Sequence, residues 1–213
     1  MSTRIAKTRP TMRKAPRQAR SRLTVDAIVD AGARILSEAG WAGFTTNRVA
    51  EIAGVSIGSL YQYFPDKLSL IDAIRGRHLA DSLAVLQKAG AEGLSSAAFA
   101  ATVARGMIEA HSRYPGLHRV LLDEAPASEA YRDPKSDFEI EFLGLYAKAI
   151  AACRGGVARP EDGQKAVLLS DAIDGIVHNA ARRGTLADPA VETGLVRLIG
   201  LYLADAADGD TAI

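Results

Sequence analysis

From Val25 to Tyr202 the apolar residues recur at spacings of three and four, and no segment alternates apolar and β-branched residues with polar ones as a half-buried strand does. There is also no Asn-Gly pair to mark a tight hairpin. The chain is therefore restricted to an all-α architecture. Its breaks are equally legible. Thr24 is the expected N-cap of a first helix that Gly40 ends, and Thr45 or Thr46 caps a second running to about Ala53. Gly54 stops that helix, Val55 is expected to be buried in the turn, and Ser56 caps a third helix reaching Tyr63 or Phe64. A fourth starts after Pro65-Asp66 and covers roughly 67–88, with Leu68, Ile71, Ile74, Leu79, Leu83 and Leu86 on its buried side. Further helices are expected at about 96–113, 116–124, 129–153, 161–183 and 189–205, separated by Pro115, Pro126, the 154–160 loop and Gly184, with Asp133-Pro134 a candidate break in the third of them.

With 213 residues, of which 48% are hydrophobic and 24% charged, the chain can bury a substantial core. No apolar run approaches the ~20 residues of a membrane span, and the N-terminus lacks the apolar stretch of a signal peptide, so a cytoplasmic location is expected. The lone Cys153 leaves no intramolecular disulfide and no thiolate metal cluster. The formal net charge of +1 conceals an asymmetry. Arg4, Lys7, Arg9, Arg13, Lys14, Arg17, Arg20 and Arg22 occur before any acid, leaving 18 basic against 25 acidic groups in the rest of the chain. A basic arm on an acidic body suits a polyanionic partner. Pro10 and Pro16 oppose a continuous helix in that arm, so residues 1–22 are expected to be disordered until bound.

The second and third helices carry the spacing of a helix-turn-helix. Ala50 permits a close crossing, Gly54 supplies a positive φ, and Val49, Val55 and Leu60 provide apolar contacts that fix the angle. A plain helical hairpin would share this pattern but would not account for the basic arm. In a DNA-binding version the second helix of the pair enters the major groove. Ser56, Ile57, Gly58 and Ser59 then face bases, while Tyr61, Gln62, Tyr63 and Lys67 offer groups to the duplex and its phosphates. Phe64 is assigned to the core; for Tyr61 and Tyr63 packing and DNA contact both stay open.

The run Phe44-Thr-Thr-x-x-Val-Ala-x-x-Ala-Gly-Val-Ser-x-Gly-Ser-Leu-Tyr-x-Tyr-Phe-x-x-Lys67 resembles the N-terminal signature of the tetracycline-repressor (TetR) family of transcriptional regulators, with a dense match over about 24–71. The resemblance implies an N-terminal three-helix helix-turn-helix DNA-binding domain followed by a larger helical ligand-binding and dimerisation domain, acting as a homodimer on a palindromic operator. It implies a repressor released by a small apolar effector; the alternative is a DNA-binding regulator without a pocket, controlled by a protein partner. Carried over by position, the family's DNA contacts fall on Thr46, Ile57, Gly58, Ser59, Tyr61, Tyr63 and Lys67, and Asn47 stands where some members have a base-reading basic residue. The expected division is a basic arm (1–22), a DNA-binding domain (23–70), an effector and dimerisation domain (71–207) and a tail (208–213).

The C-terminal half is less specific. Leu169, Ile173, Ile176, Val177 and Ala180 form one apolar stripe and Leu195, Leu198, Ile199 and Tyr202 another. Two such helices either meet their symmetry mates in a four-helix bundle or bury their stripes within one subunit. Candidate effector contacts, chosen as apolar or ring-bearing side chains of the middle helices, are Phe99, Val103, Met107, Leu121, Phe138, Phe142, Tyr146 and His178. Asp174 and His178 share a helix face, and His111 and His118 lie in the same half, but no His-Glu-x-x-His or paired-cysteine motif accompanies them. No nucleophile elbow, phosphate loop or dinucleotide fingerprint occurs either. No enzyme activity, metal or cofactor is expected.

Overall fold

The computed structural model describes residues 19–91, 94–126 and 136–208, and all regular structure among them is helical. The helices are α1 (Ala19–Ala39), α2 (Thr46–Ile52), α3 (Ile57–Tyr63), α4 (Lys67–Ala91), α5 (Ser96–Ser112), α6 (Leu117–Arg119), α7 (Asp137–Ala152), α8 (Asp162–Arg183) and α9 (Pro189–Asp208). A π-helical turn, Val120–Glu124, follows α6. The chain divides into two compact units, one running to Arg77 and taking in the segment from Val120, the other beginning at His78 and holding the remainder. The boundary thus falls inside α4, seven residues beyond the expected one.

In the N-terminal unit, Val25, Ile28, Val29, Ile35 and Leu36 form the buried face of α1. Gly32 lies on that face because α4 passes close to it: a Cβ there would sit 2.6 Å from Ile74 Cδ1. Helix α1 already exists at Ala19, so Thr24 is not its N-cap. The Thr24 hydroxyl instead donates to the Arg20 carbonyl one turn back. Residues 19–22 of the basic arm are accordingly helical, a correction to the expectation of disorder; residues 1–18 and the tail beyond Asp208 lie outside the described residues. Asp66 and Ser69 open α4 reciprocally, the Ser69 amide donating to Asp66 Oδ1 at 2.8 Å and the Asp66 amide to Ser69 Oγ at 3.2 Å. On α4 the first buried leucine is Leu70 rather than Leu68, which is only half-buried, as are Leu79 and Leu83.

The expected helix at 116–124 is split. After Arg119 the ladder shifts by one residue, and the Ala125 amide donates to the Val120 carbonyl at 2.7 Å. The reason lies with Arg75. Its buried guanidinium pairs with Asp72 at 3.1 Å and donates to the Leu121 carbonyl at 2.9 Å and that of Pro126 at 3.4 Å. A regular helix would use up the Leu121 carbonyl internally; the widened turn leaves it to the arginine.

The C-terminal unit is built on α5, α7, α8 and α9 with the end of α4. Val103, Met107, Tyr146, Ile150, Leu169, Ile173, Leu195 and Ile199 are all at most 1% exposed, each large apolar side chain contributing roughly 1.5–3 kcal/mol by its burial. Ser136 caps α7, while 127–135 lie outside the described residues, including the start of the helix expected from 129. Gly184 ends α8 in the left-handed conformation, φ 71°.

Beyond α7 the chain is fastened by a buried ion pair. Arg154 Nη2 donates to both oxygens of Asp162, at 2.6 and 2.7 Å, and Nη1 reaches the Ala206 carbonyl at 3.0 Å. The Arg159 amide adds a hydrogen bond to Asp162 Oδ2 at 2.8 Å. Burial alone would raise the Asp162 pKa, but the Arg159 amide and the Arg154 guanidinium outweigh it and hold the carboxyl below its usual value. The stability this contributes is therefore present above the ordinary aspartate pKa and is lost as pH falls through the depressed one. Asp162→Asn leaves a buried guanidinium without its counter-charge and is expected to lower unfolding free energy by about 3–5 kcal/mol at neutral pH, measured by urea denaturation. The same variant should lose less stability than the parent on acidification below about pH 4.

Candidate nucleic-acid interface and ligand cavity

Two short helices and a four-residue turn make the exposed feature of the N-terminal unit. Thr45, in extended conformation, accepts from the Arg48 amide and caps α2; Ser56 accepts from the Ser59 amide at 3.1 Å and caps α3. Between them Gly54 has φ 68°, and the Val55 amide returns to the Ala50 carbonyl at 3.0 Å. Val49, Ala50, Leu60 and Phe64 are buried beneath the pair, while Val55 is only half-buried.

With Leu60 and Phe64 turned inward, the opposite side of α3 is left to solvent. Ser56, Gly58 and Gln62 are exposed, Ile57 is 38% and Tyr61 41% exposed, and Ser59 and Tyr63 are half-buried. A Cβ on Gly58 would touch only Ser56 Oγ, at 3.9 Å, so the helix surface is flat there. Asn47 is exposed on α2, and Thr46 Oγ1 lies 3.1 Å from the Tyr61 hydroxyl, which links the two helices at their outer surface. Lys67 sits with Nζ 3.5 Å from the centre of the Trp41 ring, and partial burial pulls its pKa below the usual lysine value. The Trp41 amide donates to Glu124 Oε2 at 3.1 Å, fixing the turn that carries the indole. The sequence did not single out Trp41 as a partner of Lys67, because the two are far apart along the chain.

In the C-terminal unit a cavity of about 470 Å³ opens beside the end of α4, where Gly90, Ser96, Phe99, Leu145, Ala149 and Leu203 line it. Polar groups reach it from Gln87, Lys148 and Cys153, whose Sγ lies 3.2 Å from Ser96 Oγ. Of the expected effector contacts only Phe99 is in this wall. Val103, Met107, Phe142 and Tyr146 are packed in the core, and Phe138 stacks on Phe142 with ring centres 5.2 Å apart. The buried Tyr146 hydroxyl has no hydrogen-bond partner, and burial, with Asp174 nearby, raises its pKa. Leu121 is buried in the other unit, and His178 joins a cluster with His78, His111 and His118. Apolar character alone selected core residues; the cavity is lined instead by Leu94, Leu145 and Leu203 together with small and polar residues.

The α8 and α9 stripes are largely spent inside the subunit. Leu169, Ile173, Val177, Ala180, Leu195 and Ile199 are at most 2% exposed in the single chain, so they have no surface to offer a partner. Ile176, Leu198 and Tyr202 are half-buried, and Leu168 and Leu201 are 54% and 60% exposed.

Residues 28–74 match the model of bacterial regulatory proteins of the tetR family, a span that contains the whole helix-turn-helix. The HTH-type transcriptional repressor AcnR of Corynebacterium efficiens is 26% identical over 183 residues, covering 73% of this chain and 91% of that protein. A structure from Rhodococcus sp. described as a TetR-family transcriptional regulator superposes with a TM-score of 0.68 at 25% identity, over 85% of this chain and 99% of that one. The chain carries a TetR-family helix-turn-helix at residues 28–74. It is a DNA-binding transcriptional regulator. Nucleoid occlusion factor SlmA of Haemophilus ducreyi is 32% identical over 89 residues, 42% of this chain and 44% of that protein. No described helix of the chain is long and apolar enough to cross a membrane.

The geometry of the turn makes a direct expectation about stability. At Gly54 a Cβ would meet no atom within 4 Å, so substitution is resisted by backbone conformation alone. Gly54→Ala should therefore cost about 1–2 kcal/mol in urea denaturation, and Gly54→Asn less, since asparagine tolerates the left-handed region.

Proposed function

We propose that this regulator is a repressor that binds a palindromic operator as a homodimer and is released by a small apolar effector. The exposed, flat N-terminal half of α3 carries the reading: Ser56, Ile57, Gly58 and Ser59 face bases in the major groove, and Asn47 and Gln62 extend the contact. Thr46 and Tyr61, already joined at 3.1 Å, present two hydroxyls to one phosphate, with Tyr63 and Lys67 adding to the backbone contacts. The basic arm follows the duplex beyond the groove, its Lys and Arg displacing counterions.

Dimerisation is assigned to the outer face of α8 and α9. The Tyr202 hydroxyl donates to the Lys165 carbonyl at 3.1 Å, a link between α8 and α9 that supports a shared outer face. Leu168, Leu198 and Leu201 then form an apolar face that a second copy covers through the same residues. The effector occupies the cavity beside Phe99 and Ala149, a volume in the range of small-molecule sites, and this cavity favours a small molecule over a protein partner as the controlling ligand. Helix α4 runs from Lys67 to the cavity wall at Gly90, so one continuous element carries both sites. To change operator occupancy a hundredfold, the effector must prefer the unbound conformation by ~2.7 kcal/mol per dimer.

Selection of random duplexes with purified protein tests the reading. Enrichment of a palindrome is expected; binding that is salt-sensitive but shows no sequence enrichment would refute it. On the selected operator, Tyr61→Phe should weaken all operator variants alike, whereas Ser59→Ala should alter which variants are preferred. Leu201→Arg should convert the dimer to a folded monomer in light scattering; an unchanged mass would exclude this face as the interface. Deleting 1–18 should reduce the slope of log K against log salt by ~0.9 for each phosphate that the arm neutralises, measured by fluorescence anisotropy.

A further inference from the structure

The four histidines of the chain, which are distant in sequence, meet at one point of the C-terminal unit. His78 comes from α4, His111 from α5, His118 from α6 and His178 from α8, and one nitrogen from each lies within 4.8 Å of all the others. His78 Nε2 is 2.9 Å from His118 Nδ1, and His178 Nε2 is 3.0 Å from His111 Nε2. The His118 and His178 rings stack with centres 3.2 Å apart.

Hydrogen bonding explains this gathering only in part. His111 Nδ1 lies 2.8 Å from the Met107 carbonyl, which can only accept, so that nitrogen carries the proton and the Nε2 lone pair points into the cluster. A ring held through Nδ1–H by a backbone carbonyl, with Nε2 bare, is the posture of a metal-ligating histidine. The neutral rings then share two contacts among four, and the buried His118 Nε2 is left with no partner. Charge cannot hold the group together either. Burial, reinforced by the neighbouring imidazoles, pulls His78 down to about 4, His118 to about 2 and His178 to about 3, while burial lowers His111 against the pull of the Met107 carbonyl.

We propose that His78, His111, His118 and His178 bind one divalent transition cation of the imidazole-preferring class, such as Zn²⁺, in a closed four-nitrogen site. A tetrahedral site with bonds of ~2.0–2.1 Å has nitrogen-nitrogen edges of about 3.3 Å. Two nitrogen pairs already lie at 2.9 and 3.0 Å, and side-chain rotations suffice to bring the remainder from within 4.8 Å. Four imidazoles without an oxygen donor select Zn²⁺, Co²⁺ or Ni²⁺ over Mg²⁺ and Ca²⁺. With every position taken by protein the site is structural: it ties α4, α5, α6 and α8 together and has no open position for a substrate. Nothing in this assignment depends on how the regulator reads DNA.

The composition makes the test clean, because these 213 residues contain four histidines and one cysteine, so no second imidazole site exists to confuse it. Tag-free, full-length protein stripped with chelator is titrated with Co²⁺ and then with Zn²⁺. Expected are one cation per chain, visible absorption of the tetrahedral Co²⁺ type, its loss on adding Zn²⁺, and a saturable rise in Tm with Zn²⁺ but not with Mg²⁺. His118→Gln and His178→Gln, each checked for unchanged helicity by circular dichroism, should bind Co²⁺ more than about tenfold more weakly. Folded parent protein that binds neither cation saturably would overturn the proposal, as would stoichiometric binding that survives in both variants. Since the parent alone can give the first of these results, a variant that fails to fold leaves the proposal testable.

Discussion

A guanidinium taken out of water must find acceptors, and Arg75 finds them in Asp72 and in the carbonyls of Leu121 and Pro126. That requirement reaches well beyond one side chain. It holds the segment from Val120 within the N-terminal unit although more than forty residues separate it from Arg75. It also accounts for the local switch from α to π hydrogen bonding, which frees a carbonyl that a regular helix would consume. The same segment then delivers Glu124 to the Trp41 amide, so the turn that positions the indole under Lys67 depends indirectly on a buried charge on α4. Removing the guanidinium would take from the Leu121 carbonyl the donor for which the widened turn frees it, which makes this a point where the unit can fail as a whole.

The two units use different physical means to hold their helices. In the first, short helices are fixed by hydroxyl caps and by glycines at a turn and a crossing, with apolar contact confined to one layer. In the second, a continuous apolar core joins five helices, and polar groups enter it paired, as at Arg154 and Asp162, gathered, as at the four imidazoles, or singly, as at the Tyr146 hydroxyl. A close approach of α4 and α5 is set by Gly106, where a Cβ would lie 2.5 Å from Val85 Cγ1.

Local signals make the helix-turn-helix legible: the turn at Gly54, the cap at Ser56 and the inward Leu60 and Phe64 all depend on residues within about one helical turn of each other. The start of α1 is not legible in the same way, because Thr24 satisfies its hydroxyl within the helix as readily as at a cap. Features that need partners distant in sequence stay hidden too. Periodicity on α8 and α9 identifies an apolar face but does not say whether it meets the same chain or another, and Leu169, Ile173, Leu195 and Ile199 are buried within their own subunit. The imidazole cluster joins positions 78, 111, 118 and 178 on four different helices, so no short motif could reveal it. The cavity wall consists mainly of residues too small or too polar to attract notice, with Phe99 the exception among the expected contacts.

Cys153 acquires a use from its place in that wall. Its thiol faces Ser96 beside Phe99, and these 213 residues contain no other cysteine. Covalent labelling of the protein therefore reports on one address. A molecule lodged in the cavity shields that sulfur, and the rate at which an alkylating reagent consumes it becomes a direct gauge of occupancy, readable on the intact chain by mass without DNA, a reporter gene or the identity of the ligand.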